Sequence, residues 1–208
     1  MSLSATSLAD MLCADAALPY PRAMNTPVED SALMLRFKDG DSSAFEELYR
    51  RHNDALYRYF LRLGGDPAAA EDLYQEAWSK IIRARDSYRP TAKFTTFLYR
   101  VAHNCFIDYV RRNRRHSQVA DVEPDTQPAE GDLPEQVVES RLARERLEVA
   151  LASLPDEQRD VFLLHEEAGL ALDEIALAMG SNREATKSRL RYAVKKLRAA
   201  ISEPEVPK

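Results

Sequence analysis

The sequence predicts an all-α protein made of two small helical domains joined by a flexible acidic linker, the second domain containing a helix-turn-helix. Three observations support this fold class. Glycine is scarce, with 6 among 208 residues. Apolar residues recur at helical spacing through most of the chain, and one acidic stretch with several prolines divides it. An all-β fold would need more turn glycines and more β-branched runs.

Composition divides the chain into five parts. A weakly ordered tail is expected at residues 1–27, followed by the first helical domain at 28–116. The acidic linker occupies residues 117–137, where six acidic residues occur without any lysine or arginine. The second helical domain is expected at 138–203 and a short tail at 204–208. Low hydrophobicity with charge of one sign is typical of a segment that builds no core of its own.

Three long amphipathic helices are predicted in the first domain. Ser43 with Glu46 three residues later indicates a capping box at the start of the first helix. Asp66 followed by Pro67 indicates the cap and the first residue of the second helix. The third helix is expected from about residue 93 to residue 112, where the chain becomes rich in arginine.

The second of these helices carries an acidic face, on which Glu71, Asp72, Gln75 and Glu76 cluster beside Trp78. An acidic face with an exposed aromatic residue fits docking to a basic helix of a partner. The alternative is the ordinary enrichment of acids at a helix N-terminus, which explains Glu71 and Asp72 better than Glu76.

The third helix mixes basic and aromatic side chains. Its basic and polar candidates are Lys93, Arg100, Asn104, Arg111 and Arg112, and its aromatic residues are Phe94, Phe97, Tyr99, Phe106 and Tyr109. This mixture suits single-stranded DNA, because rings stack on bases while cations neutralise the backbone. The Asn104 amide could read the edge of an unstacked base. The alternative is that most of the rings are core, which is the better interpretation for Phe94 and Phe97.

A helix-turn-helix is predicted in the second domain. A short helix at Leu172–Met179 and a long helix from Arg183 flank a turn that contains Gly180. Ser181 with Glu184 indicates a capping box at the start of the long helix. We favour that capping role for Glu184 over a contact to cytosine.

The long helix has an apolar face and a basic face. The residues expected to pack inward are Thr186, Leu190, Ala193 and Leu197. Residues 183–198 contain seven basic residues and one acid, and such a helix can enter the major groove and donate to base edges. The candidate DNA contacts are Arg183, Lys187, Ser188, Arg191, Tyr192 and Lys195. The alternative is a solvated basic helix of a bundle, which the capped turn and the two-faced pattern make less attractive.

Nothing in the sequence indicates an enzyme, a metal site or a cofactor. The two cysteines form no spaced set, the four histidines are scattered, and no nucleophile–base set or phosphate-binding loop is seen. No apolar run approaches the roughly 20 residues that a bilayer crossing needs, and no signal peptide is recognisable. We therefore expect a cytoplasmic protein without membrane insertion.

Three segments in this order resemble the extracytoplasmic-function (ECF) group of bacterial RNA polymerase sigma factors. AEDLYQEAWSKI at 70–81 resembles the family's polymerase-docking helix. KFTTFLYRVAHNCFIDYVRRNRR at 93–115 resembles its −10 recognition and melting segment, and residues 154–198 resemble its −35 domain. The resemblance implies an alternative sigma factor that binds core RNA polymerase, recognises both promoter elements and initiates transcription of a stress or envelope-response regulon.

The resemblance also implies roles for single residues. Contacts to the clamp helices of the largest polymerase catalytic subunit would come from Asp72, Gln75, Glu76 and Trp78. The loop at 87–93 with Asn104 would capture a flipped −10 base, and Arg111 and Arg112 would hold the nearby backbone. The −35 element would be read by Lys187, Ser188 and Arg191. The chain departs from the usual family pattern at Glu184-Ala185-Thr186 and at Tyr192, so the −35 preference stays open.

Partners and regulation are the last expectations. The resemblance implies an anti-sigma factor that clamps the two domains. The alternative function is a helix-turn-helix transcription regulator that acts without docking on core polymerase, which leaves the acidic helix and the aromatic-basic helix without a role. We also expect the free chain to fold back, so that the acidic linker helps to shield both basic faces from DNA.

Overall fold

The computed structural model describes residues 29–116 and 145–202, and every regular element in these ranges is helical. The first block, residues 29–116, contains α1 (Asp30–Lys38), α2 (Ser42–Gly64), α3 (Pro67–Arg83), a short 3-10 helix (Arg85–Ser87) and α4 (Phe94–His116). The second block, residues 145–202, contains α5 (145–152), α6 (Asp156–Glu166), α7 (Leu172–Met179) and α8 (Arg183–Ser202). The all-α prediction is confirmed. The acidic linker and both tails lie outside the described residues.

Local sequence explains where α2 and α3 begin. The Asp41 carboxylate caps α2 by accepting from the Ser43 backbone N–H at 3.1 Å, so the predicted capping box that starts at Ser43 is wrong. Asp41 holds the extended backbone that a cap requires, whereas Ser43 is already helical. The predicted cap of α3 is confirmed, because the Asp66 carboxylate accepts from two backbone N–H groups and Pro67 is the first helical residue.

The core of the first block lies between α1, α2, α3 and α4. Large side chains that are at most 2% exposed include Met34, Leu48, Leu56, Phe60, Leu73, Ile81, Phe94 and Leu98. Each such burial removes enough apolar surface to contribute roughly 1.5–3 kcal/mol. Within the described residues, no helix combines the length and apolarity that crossing a membrane would require.

The second block contains the predicted helix-turn-helix. Helix α7 has the predicted bounds Leu172–Met179, and Gly180 ends it with a φ of 61°. That left-handed conformation is strained for residues with a Cβ, which explains the glycine. Helix α8 then begins at Arg183. Its inward face is confirmed, since Thr186, Ala193 and Leu197 are fully buried.

The two blocks pack against each other rather than standing apart. Helix α4 lies along α7, and the second half of α2 lies against α6. Buried apolar side chains of both blocks form one continuous cluster. The expected folding back is therefore confirmed for the described residues. The domain boundaries stay a prediction, because the chain between the blocks lies outside those residues.

Candidate nucleic-acid interface

Helix α8 presents a basic surface to solvent. Arg183, Lys187, Arg191 and Lys195 are exposed, and Ser188 between them is half-buried. Leu190 and Val194 pack against the core between these cations. The structure thus brings the predicted −35 residues onto one exposed surface.

Two of these side chains are held in place by neighbours. The Arg183 guanidinium lies 3.2 Å from the Asp173 carboxylate on α7, which ties the start of α8 to the first helix of the motif. The Arg191 guanidinium lies over the Tyr192 ring, 5.3 Å from its centre, and the ring is 52% exposed. A cation held on an exposed ring keeps its donors available, so Tyr192 can orient Arg191 towards DNA.

The predicted capping box of α8 is wrong. The Asn182 side-chain oxygen accepts from the Ala185 backbone N–H at 2.8 Å, so Asn182 is the cap. Ser181 instead shares a hydrogen bond of 2.9 Å with the Thr186 hydroxyl. Glu184 is exposed in the first turn. The capping role predicted for Glu184 is therefore wrong.

Helix α4 carries the second set of predicted contacts. Lys93, directly before the helix, and Arg100 and Asn104 on it are all exposed, and their spacing of seven and four residues places them along one stripe at the side of the helix. The preceding loop is anchored from two sides. The Tyr88 ring packs on Phe97 with centres 5.2 Å apart, and the Lys38 ammonium donates to the Tyr88 carbonyl at 3.2 Å.

Three of the five α4 aromatic rings belong to the core, which is the alternative to base stacking. Phe94, Tyr99 and Phe106 are at most 3% exposed, so their faces are not available to a base. Phe97 and Tyr109 are only half-buried. The alternative interpretation of the rings as core is confirmed for Phe94. Helical spacing of large apolar groups is first of all a packing signal.

The two arginines at the end of α4 do not join this stripe. Arg111 pairs with Asp108 at 3.6 Å on its own helix, and the Arg112 guanidinium reaches the Glu76 carboxylate on α3 at 3.3 Å. The hydrogen bond from Lys80, against a smaller effect of burial, holds the pKa of Glu76 below its usual value, and Arg112 adds to that lowering. Arg112, a predicted DNA contact, therefore pairs with Glu76, a predicted polymerase-docking residue.

The acidic surface of α3 is exposed at Asp72 and Gln75 and half-buried at Glu76. The three side chains line a cleft between α3 and α4. Trp78, predicted as an exposed aromatic beside them, is only 5% exposed. It packs edge-on against Phe45 at 5.7 Å. The prediction that Trp78 is exposed is therefore wrong, because its ring serves the core.

A buried polar contact between the blocks was not predicted. Asp160 of α6 is 1% exposed. Its carboxylate accepts from the Tyr59 hydroxyl at 2.7 Å and lies 2.6 Å from His103 Nδ1. A carboxylate only accepts, so Nδ1 is the donor. Burial, and then the charge of Asp160, raises the pKa of Tyr59 well above its usual value, so its hydroxyl keeps the proton that it donates.

One signal in the sequence could have identified this contact. Asp160 directly precedes the apolar residues Val161, Phe162, Leu163 and Leu164. Carboxylates are almost never fully buried without partners. An acid within such a run therefore indicates a buried partner elsewhere in the chain.

Three further polar contacts join the two blocks. The Arg159 guanidinium donates to the Leu63 carbonyl at 2.8 Å and so caps the end of α2. Glu167 pairs with Arg58 and Arg62 near the end of α2. The Lys93 ammonium lies 2.9 Å from the Glu174 carboxylate of α7. The backbone N–H of Ala171, followed by Lys93, lowers the pKa of Glu174.

Comparison with known families covers both blocks. Residues 48–116 match the family described as Sigma-70 region 2, and residues 150–199 match Sigma-70 region 4. Together with the exposed basic helix of the helix-turn-helix, these matches define the class of DNA-binding transcription initiation factors.

Individual relatives narrow this class. The ECF RNA polymerase sigma factor SigE of Mycolicibacterium smegmatis is 38% identical over 76% of this chain and 63% of its own length. CarQ, an RNA polymerase sigma factor of Myxococcus xanthus, is 31% identical over 83% of this chain and 98% of its own length. SigW, an ECF RNA polymerase sigma factor of Bacillus subtilis, is 31% identical over 79% of this chain and 92% of its own length. The chain belongs to the ECF sigma factors of RNA polymerase.

Solved structures share the fold. CnrH in complex with the cytosolic domain of CnrY matches with a TM-score of 0.60 and 23% identity, over 82% of this chain and 95% of that chain. The sigma factor RpoE of Bartonella quintana, in complex with the anti-sigma factor NepR, matches with a TM-score of 0.62 and 23% identity, over 77% of this chain and 98% of that chain.

Proposed function

We propose that this chain brings core RNA polymerase to promoters with separate −35 and −10 elements and initiates transcription of a stress or envelope-response regulon. The observation that carries the proposal is the exposed basic surface of α8, which follows a capped helix-turn-helix turn. The exposed stripe on α4 and the acidic surface on α3 supply the two other contacts that an initiation factor needs.

The second block would read the −35 element through α8. Lys187 and Arg191 are exposed one turn apart and Ser188 beside them is half-buried, which fits a recognition helix in the major groove. Lysine and arginine donate to guanine edges, and serine bonds to several bases. Lys195, two turns further along, would hold a phosphate, while Arg183 and Tyr192 would support the contact from either side.

The first block would supply the −10 and polymerase contacts. Lys93, Arg100 and Asn104 form the stripe that faces an unpaired base strand. Arg111 and Arg112, beside the α3–α4 cleft, would neutralise backbone at its edge. Asp72, Gln75 and Glu76 form an acidic surface that complements a basic helix of polymerase.

Run-off transcription with purified core polymerase on genomic promoter fragments tests the function, with transcript ends mapped to locate the promoters. We expect transcripts that require the chain and that begin downstream of one shared pair of elements. A helix-turn-helix regulator that never docks would bind DNA but would neither co-purify with core polymerase nor start transcripts with it.

Alanine substitutions on α8 distinguish base contacts from phosphate contacts. Lys187→Ala and Arg191→Ala should each weaken binding to matched −35 sequences by about 1–3 kcal/mol, because a base edge loses its donor. Lys195→Ala should weaken all sequences about equally, as the loss of a phosphate contact does. Holoenzyme binding to matched and mismatched duplexes measures both. If Arg191→Ala affects every sequence equally, base reading by Arg191 is wrong.

We further propose an anti-sigma factor as a partner. One solved structure that shares this fold is the sigma factor RpoE bound to the anti-sigma factor NepR. The acidic surface of α3 is accessible in the free chain, so a competitor for polymerase could cover it. Such a partner should lower run-off transcription in proportion to its concentration, and excess core polymerase should reverse the effect.

A further inference from the structure

Asp160, at 1% exposed, is the most deeply buried acidic residue among the described residues, ahead of Glu167, whose side chain is 7% exposed and also pairs with the first block. Both partners of Asp160, Tyr59 and His103, belong to the first block. A carboxylate taken out of water is costly unless it is hydrogen-bonded, and here two donors from the opposite block satisfy it. If the blocks separated, Asp160 would exchange these donors for water.

The contact covers one face of the predicted −10 helix. Thr96, Tyr99 and His103 recur on α4 at intervals of three and four residues, and each is at most 8% exposed. Helix α7 packs on α4, and Glu174 of α7 holds Lys93 at one end of the exposed stripe. The arrangement leaves the basic surface of α8 in solvent. The expectation that the acidic linker helps to shield both basic faces stays a prediction, because the linker lies outside the described residues.

Distance makes this arrangement incompatible with promoter recognition. Elements near −35 and −10 are separated by about 25 base pairs, or roughly 85 Å at about 3.4 Å per base pair. Helix α8, with 20 residues, is only about 30 Å long, and it follows directly on α7, which lies against α4. The two blocks cannot occupy both elements while Lys93 and Glu174 are 2.9 Å apart.

We infer that Asp160, with Tyr59 and His103, forms a latch that holds the free chain closed by joining the two blocks. Within the described residues, the stripe at Lys93, Arg100 and Asn104 and the basic surface of α8 are both exposed, so the latch limits the separation of the two surfaces and not their exposure. The meaning of the closed state rests on the proposed function, but the latch itself is a property of the free chain. Opening it is a separate step that must precede engagement of both promoter elements.

The closed state can be measured in the full-length chain with a carbodiimide. This reagent joins an ammonium and a carboxylate that are in contact, so the closed chain should give a Lys93–Glu174 amide cross-link, detectable by peptide mass spectrometry. Asp160→Lys should reduce its yield at least tenfold, because closure would bury an ammonium beside Tyr59 and His103 without an anionic partner. Tyr59→Phe removes one donor and should give a smaller loss.

Two matched variants serve as controls. Glu157→Lys makes the same charge change one turn earlier on α6, where Glu157 pairs with Arg189 of the same block. Tyr57→Phe removes a hydroxyl from α2 as Tyr59→Phe does, but on the face of α2 that packs against Tyr74. Both should keep the wild-type yield. Circular dichroism should show unchanged helix content in all variants, and small-angle scattering should show a more extended chain for Asp160→Lys only.

The outcomes separate the latch from the proposed function. A wild-type chain without the cross-link, or equal yields in wild type and Asp160→Lys, overturns the latch. Loss of the cross-link in Asp160→Lys supports the latch even if run-off transcription fails, and only the proposed function is then wrong. Addition of core polymerase should lower the wild-type yield at least tenfold, and an unchanged yield in a chain that binds polymerase overturns the inference.

Discussion

Replacing Asp72 and Glu76 by lysine should weaken binding of the chain to core RNA polymerase by about 100-fold, or about 2.7 kcal/mol. The acidic surface of α3 is accessible, and reversing two charges there sets like charges against a basic partner helix. Glu76→Lys also faces Lys80 and Arg112, which hold the native carboxylate. Asp72 forms no ion pair within the described residues, so Asp72→Lys alone should show a smaller loss that comes from docking only.

A titration of fluorescently labelled chain with core polymerase measures this affinity. Glu148→Lys is the matched control, because Glu148 is exposed on α5 of the other block. The control should bind like wild type, and circular dichroism should report equal helix content in all variants. Wild-type affinity of the Asp72→Lys/Glu76→Lys chain would show that polymerase docks elsewhere.

Replacing Trp78 by alanine should lower the free energy of unfolding by about 3–5 kcal/mol. The ring is 5% exposed and packs among aromatic neighbours, with Tyr49 at 5.0 Å and Phe45 at 5.7 Å between ring centres. Its removal leaves a cavity that these rings cannot fill without leaving their own positions. The resemblance to ECF sigma factors implies a contact to polymerase at this position. A core role predicts that Trp78→Ala loses stability, whereas a contact role predicts that it loses affinity for polymerase.

Urea unfolding of the full-length chain, followed by circular dichroism, separates these roles. Trp78→Phe should recover most of the stability, since it retains a ring in the core. Ile82→Ala is the control on the same helix, because Ile82 is 41% exposed and should change stability by much less. If Trp78→Ala unfolds like wild type but binds core polymerase weakly, the residue is a contact and its structural role is minor.

Helix positions were predictable because local chemistry determines them. Asp66-Pro67 marks the start of α3, and a glycine that accepts a left-handed backbone marks the end of α7. The prediction of the cap residue was wrong where several polar residues compete for the cap position. Ser181 and Asn182 both precede α8, and the structure uses the residue directly before the first helical turn. A one-residue choice of this kind depends on backbone angles that spacing does not reveal.

Surfaces were less predictable than helices. Spacing places Lys187 and Arg191 on the outer face of α8 because the opposite face packs against the core of the second block. Trp78 and Tyr99 lie on helices packed on more than one side, so periodicity does not say which rings remain exposed. The pairing of Asp160 with Tyr59 and His103 joins positions 101 and 57 residues apart. The apolar run that follows Asp160 indicates that the acid has a buried partner, but no local pattern says which residues those partners are.

The Asp160 contact bears on how far the two halves of this protein can be exchanged. Because its donors sit on one block and its acceptor on the other, a transplanted second block from a relative would have to supply a carboxylate at position 160. With an apolar residue there, Tyr59 and His103 would lose the buried carboxylate that accepts from both of them. Chimeric sigma factors built at the linker would then differ from their parents in shape when free, even with every promoter-reading side chain intact.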